Sequence, residues 1–350
     1  MIFTKIGDYL TKISINKLAC LLFFVIIFKT GVSPIGPEYV MWIRETAKTY
    51  PEPIFHLVSS PLPLLLMKLF SYPNDFIWWS IGTIAYIFWI ILTVKLILKR
   101  YQKHRREALL IFFSSTPVAA AMTMLGHIDV YTLIGGSIAV LANFKLKVIV
   151  GALFAVGGNS DQAIATLCCL GLIAIGGSKF AKKYVLQWAV VSISAYLMLH
   201  LNVSFPSTSD PKQVMIFDLQ YLLPTTLGSW HLLSYSQMGL LWIPWAAIVL
   251  PTLKQKKQII FVSLGVIVLP LSLTLFILDG TRVGTTVGYL VLLITMDEAY
   301  HSKFKSAPNL SPSIYGMLFL ILALAPSIIV QNKGLLRLPF RKILEAFNLI

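Results

Sequence analysis

Long apolar stretches alternate with short polar loops along the whole chain, and the stretches approach the length that a bilayer requires. A transmembrane helix takes about 20 apolar residues, with about 17 as a lower bound. Read this way, the sequence predicts spans at 17–34, 76–98, 108–125, 130–144, 147–158, 162–178, 184–202, 232–250, 258–278, 283–296 and 312–330. The expected fold is an all-α polytopic membrane protein of about 11 transmembrane helices, with 147–158 notably short. Residues 53–71 are also apolar but carry Pro53, Pro61 and Pro63. They are expected to form a re-entrant or interfacial segment that packs against protein instead of spanning. The first outer loop, 33–75, is the longest. After Pro37, which suits a first helical turn, Val40, Ile43 and Ala47 alternate with Arg44, Glu45 and Lys48. That pattern predicts an amphipathic helix lying on the membrane surface.

Composition agrees with the pattern. Of the 350 residues 57% are hydrophobic and 12% are charged, against about 25% charged in soluble domains. Mean hydropathy is +0.79. The whole chain, 1–350, reads as one transmembrane domain with a retained first helix and no cleaved signal peptide. The net charge of +15 comes from Lys and Arg at span ends, which favours a membrane orientation signal and lipid head groups over nucleic acid as partner. Basic residues in the N-terminal segment (Lys5, Lys12, Lys17) and in the loops at 98–107, 145–147, 179–183, 254–257 and 303–305 mark one side as cytoplasmic, with the N-terminus. The basic tail residues Lys333, Arg337, Arg341 and Lys342 break that pattern. Short loops and the lack of a sorting signal point to a bacterial inner membrane. Cys20, Cys168 and Cys169 lie inside apolar runs and form no disulfide or metal framework.

The opposite loops collect the acids: Gly36-Pro37-Glu38-Tyr39, Gly126-His127-Ile128-Asp129, Gly158-Asn159-Ser160-Asp161 and Asp279-Gly280-Thr281-Arg282. Glu38 reads either as a carboxylate base facing a water-filled cavity or as a first-turn helix acid. His127 and Asp129 read as a pair that shares a proton, binds a metal or orients sugar hydroxyls; the alternative is that Asp129 caps its helix. Asp161 carries the same alternatives, with Asn159 and Ser160 as rival caps. Arg282, with Thr281 and Gly280 beside it, suits a phosphate at a helix N-terminus, or else pairs with Asp279. The 203–231 loop adds Trp230 and His231, and Asn202-Val203-Ser204 matches a glycosylation sequon. Asp297, Glu298 and His301 are expected on a solvated cytoplasmic face. No Walker, GxGxxG, HExxH or paired CxxC motif is present.

In layout, roughly over residues 15–200, the chain resembles the GT-C superfamily of membrane glycosyltransferases. The resemblance is carried by the acid near the start of a long first outer loop, the Gly36–Lys48 amphipathic segment, the proline-rich run from Pro51 to Leu64, and Thr116-Pro117 … Gly126-His127-Ile128-Asp129. It divides the chain into a GT-C-like module, 1–200, and variable C-terminal helices, 201–350. It implies transfer of a sugar from a polyprenyl-phosphate donor to a glycan, lipid or protein acceptor at the extracytoplasmic or lumenal face. Glu38 would be the base and Asp129 would line the site, while Arg282 would neutralise the carrier phosphate. His127, Asp161, Asp279, Tyr39 and His231 would contact substrate. These families usually carry Asp where this chain has Glu38. No second acid follows Asp129 in an Asp-x-Asp arrangement, so neither metal nor cofactor is expected. Rival readings are an O-antigen-type polysaccharide polymerase, a flippase or transporter for a lipid-linked saccharide, and a non-catalytic membrane scaffold.

Overall fold

The computed structural model describes residues 2–49, 60–70, 75–142, 145–179, 181–186 with 189, 235–274, 280–324, 329–331 and 334–337. The expected span at 184–202 falls mostly outside these residues. So do the 203–231 loop with its sequon, Asp279, and the tail beyond Arg337. The helices are α1 (Ile2–Lys12), α2 (Ile15–Thr30), α3 (Pro37–Thr49), α4 (Pro61–Phe70), α5 (Asp75–Arg100), α6 (Arg105–Phe113), α7 (Thr116–Thr123), α8 (Asp129–Leu141), α9 (Lys145–Gly158), α10 (Ser160–Ile175), α11 (Trp242–Val249), α12 (Lys256–Ser263), α13 (Leu269–Thr274), α14 (Gly280–Ala299) and α15 (Pro312–Leu324). The protein is mostly helical. The departure among the described residues is a short antiparallel hairpin, β1 (Ile329–Gln331) with β2 (Gly334–Arg337), where the sequence predicted the last span to continue to 330.

The expectation of eleven full-length spans is not supported. Among the described residues one helix, α5, is long and apolar enough to cross a membrane by length and composition. Its 26 residues rise about 39 Å at 1.5 Å per residue. An apolar stretch can instead be built from shorter pieces. The 108–125 stretch breaks at Ser114 and Ser115, where the Ser115 hydroxyl donates to the Phe112 carbonyl at 2.6 Å and Pro117 restarts the chain as α7. The 258–278 stretch, by contrast, stays helical from Lys256 to Thr274, with a π-segment at Leu264–Val268. Hydropathy counts apolar residues and does not register a local hydrogen bond that turns the backbone.

Backbone contact between α8 and α9 holds the centre. A Cβ on Gly135 would lie 2.2 Å from the Ala155 nitrogen, and one on Gly151 would lie 2.5 Å from the Ala139 nitrogen. Both helices thus present a small-xxx-small face, which lets backbones approach and dispersion contacts accumulate. Gly151→Leu is therefore expected to destabilise the folded protein by about 3 kcal/mol, read as a lowered melting temperature. Gly171→Leu, at a site with nothing within 4 Å of an added Cβ, is expected to leave it unchanged.

α3 differs from its sequence reading in surroundings, not in register. Val40, Ile43 and Ala47 face one way as predicted. They are buried against Leu64, Met67, Trp78 and Ile128, so the apolar stripe is covered by protein and not by a lipid surface. A second correction lies at the opposite end of α5. Asp297, expected on a solvated face, is fully buried and receives both Nε and Nη2 of Arg100 and the hydroxyl of Tyr101. Its neighbour Glu298 accepts from the Ser178 hydroxyl. An ion pair drawn from residues 197 positions apart leaves no local trace in the sequence.

Candidate functional site

The site is built where the first loop meets the turn before α8. The Leu125 N–H donates to the Ser33 carbonyl and the Ile35 N–H to the Leu125 carbonyl, both at 3.0 Å, so Pro34 and Leu125 form a parallel bridge that holds the loop beside the turn. Gly126 adopts φ +91°, a conformation that favours glycine. Its carbonyl accepts from Trp78 Nε1 at 2.9 Å, and Gly82 of α5 packs directly on its Cα. A side chain at Gly82 would separate α5 from the turn, and one at Gly126 would be strained by its positive φ. This clamp fixes the position of the two residues that follow.

Asp129 opens α8 and is 6% exposed. The N-cap of α8 is Ile128, which makes no side-chain cap, so the capping reading of Asp129 is not what the structure shows. The Asp129 carboxylate turns instead toward Gln162 and His127. Oδ1 accepts from Gln162 Nε2 at 3.0 Å, and Oδ2 lies 3.3 Å from His127 Nδ1. The same His127 nitrogen is 3.3 Å from the Asp129 backbone N–H. A neutral imidazole accepts that N–H, whereas a protonated one donates to Oδ2, so one small motion serves two protonation states. The His127 ring stacks on Tyr39 with centroids 4.6 Å apart and planes 25° apart. Tyr39 follows Glu38 in the first turn of α3, and Glu38 is exposed.

The third acidic loop contributes differently from its sequence reading. Asn159 caps α10 by accepting from the Gln162 backbone N–H at 3.2 Å, as one of the two rival caps predicted. Asp161 is exposed, and its neighbour Gln162 is the residue that reaches Asp129. Consecutive helical residues point about 100° apart, so within one turn only one of the two can face α8. Gln162 was missed from sequence because a single amide in an apolar run carries no charge signal. Its Oε1 and the hydroxyl of Ser160 are buried without a hydrogen-bond partner.

The fourth loop leads into α14. Thr285 and Thr286 of that helix line the same cleft as Gly82, Tyr86, Gly126, His127 and Asp129. Arg282 stands one turn earlier in α14. Its side chain, Asp279 and His231 lie outside the described residues. Three of the four acidic loops, and the helix that the fourth begins, therefore converge at one end of the molecule. The basic segments gather at the other end, where Arg106 bonds the carbonyls of Leu10 and Ile13 and Lys103 bonds that of Ser306. Among the described residues no group of three or more His, Cys, Asp and Glu gathers as a metal site.

Chemically, the cleft offers a buried carboxylate fixed by an amide, an imidazole able to take or give a proton, an aromatic face and two hydroxyls. Such a set suits a ligand rich in hydroxyl groups. Compared with known proteins, the chain matches no family model, no curated protein and no solved structure.

Proposed function

We propose that the chain is an integral-membrane glycosyltransferase, N-terminus cytoplasmic, of a bacterial inner membrane. It moves a sugar from a polyprenyl-phosphate-linked donor to a hydroxyl acceptor at the extracytoplasmic face. The bilayer is crossed by α5 and by composites of the shorter apolar helices, in keeping with about eleven apolar stretches. The observation that carries the reading is the convergence of residues from the acidic loops on one cleft, at the end of the molecule away from the basic segments. A cleft that draws residues from several such loops suits a ligand that enters from that end.

The proposed chemistry divides among the residues as follows. The acceptor oxygen attacks the anomeric carbon while the bond from that carbon to the phosphate oxygen breaks. Glu38 takes the acceptor proton. Asp129, with His127 and Gln162, holds sugar hydroxyls on the floor of the cleft, and Tyr39 supplies a stacking face. Arg282 neutralises the polyprenyl phosphate that departs with the bonding electron pair. A base near the nucleophile and positive charge at the leaving group are what such a transfer needs.

The test is an in vitro assay of the purified protein in nanodiscs with a panel of polyprenyl-phosphate and polyprenyl-diphosphate sugars, scored as carrier release. Release from at least one polyprenyl-phosphate sugar is expected. No release from any donor sinks the reading, and release from diphosphate-linked oligosaccharides alone favours the polymerase.

A further inference from the structure

The sequence placed an interfacial helix at α3; the structure covers the apolar face of α3 with protein and leaves another helix uncovered. Among the described residues, α1 is held along one face. A Cβ on its Gly7 would lie 1.6 Å from the Pro312 carbonyl oxygen, and one on Gly316 would lie 2.1 Å from that of Phe3, so α1 and α15 touch backbone to backbone. The Arg106 guanidinium closes the end of α1 by donating to the Leu10 and Ile13 carbonyls at 2.6 and 2.7 Å. Tyr315 in turn donates to the Arg106 carbonyl at 3.1 Å. α1 is therefore held as a rigid rod at the basic end of the molecule.

Its outward stripe has an unusual mixture. Ile2, Lys5, Tyr9 and Lys12 follow one another at spacings of three or four residues and so share one face. All four are exposed, Ile2 at 68% and Tyr9 at 62%. An aliphatic side chain, an aromatic ring with a polar tip and two ammonium groups on one stripe match the boundary between phospholipid head groups and acyl chains, where each group finds its own layer. The basic loop that Arg106 ties to α1 extends the same charge through the exposed Lys103 and Arg105.

We infer that α1 docks on the cytoplasmic leaflet through anionic phospholipid head groups, with Lys5 and Lys12 on phosphates and Ile2 and Tyr9 at the acyl boundary. The inference rests on the membrane reading above but not on the transfer chemistry. Each lysine at an anionic surface is expected to contribute about fivefold to binding. The experiment is amide hydrogen exchange of residues 2–12 in the full chain, in nanodiscs of phosphatidylcholine alone and with about one-third phosphatidylglycerol. Exchange is expected to slow at least about fivefold in the anionic discs. The difference should vanish in Lys5→Glu/Lys12→Glu and, for the unaltered chain, in about 1 M salt, where the screening length falls to about 3 Å. Equal exchange in the two lipids, or a difference that survives salt, overturns the inference. The salt arm decides alone if the charge-reversed variant does not reconstitute. A chain that fails to enter nanodiscs at all overturns the membrane reading itself.

Discussion

Glu38→Gln is expected to slow carrier release by about 10²–10⁴-fold while the protein remains folded. The substitution keeps size and helical propensity and removes only the charge and the proton-accepting oxygen. Glu38 is exposed in the first turn of α3, and the residues that anchor this helix, Val40, Ile43 and Ala47, point elsewhere. The stacking of Tyr39 on His127 is likewise untouched. Loss of rate with an unchanged melting temperature thus separates a chemical role from a structural one. Full activity in Glu38→Gln would remove Glu38 as base and move that role to Asp129. That carboxylate is already held at the cleft floor by Gln162 and beside His127.

The second large effect is expected at the other end of the molecule, and it concerns stability. Arg100→Ala should destabilise the protein by about 3–5 kcal/mol, because it strands a buried carboxylate. Asp297 has no exposed surface, and Arg100 reaches both of its oxygens at 2.5 Å. Without Arg100, the Tyr101 hydroxyl still donates to Asp297, at 2.9 Å. Burial, and then the Asp297 charge, hold the Tyr101 phenol well above its usual range, so it stays protonated and serves as a donor throughout the working pH range. A double variant, Arg100→Met with Asp297→Leu, should recover most of the loss, since replacing both partners of a buried pair by apolar groups is often near neutral. Thermal unfolding of the three proteins measures this. A loss below about 1 kcal/mol in Arg100→Ala would mean that the carboxylate regains water when its partner is removed.

These two sites show different degrees of legibility in the sequence. Glu38, His127 and Asp129 stood out because charged residues between apolar stretches are conspicuous, and the basic loops fixed which side they share. Gln162, which completes the grip on Asp129, did not stand out, and its neighbour Asp161 drew attention through its charge alone. Arg100 and Asp297 each looked like an ordinary residue of a basic or acidic loop. Their burial depends on α5 and α14 ending side by side.

By itself the sequence determined the helical character, the alternation of apolar stretches and loops, the separation of acids from bases and the amphipathic register of α3. All of these follow from local periodicity and composition, which any short window of chain carries. Only the tertiary structure decided what each face meets. It covered the apolar stripe of α3 with Trp78 and Ile128 and left the stripe of α1 open. It divided the 108–125 stretch at Ser115. It also chose Gln162 over Asp161 as partner of Asp129. Amphipathicity states that a face will be covered, and hydropathy states that a segment avoids water. Which surface does the covering is settled by contacts between residues far apart in the chain, and those exist only once the helices have packed.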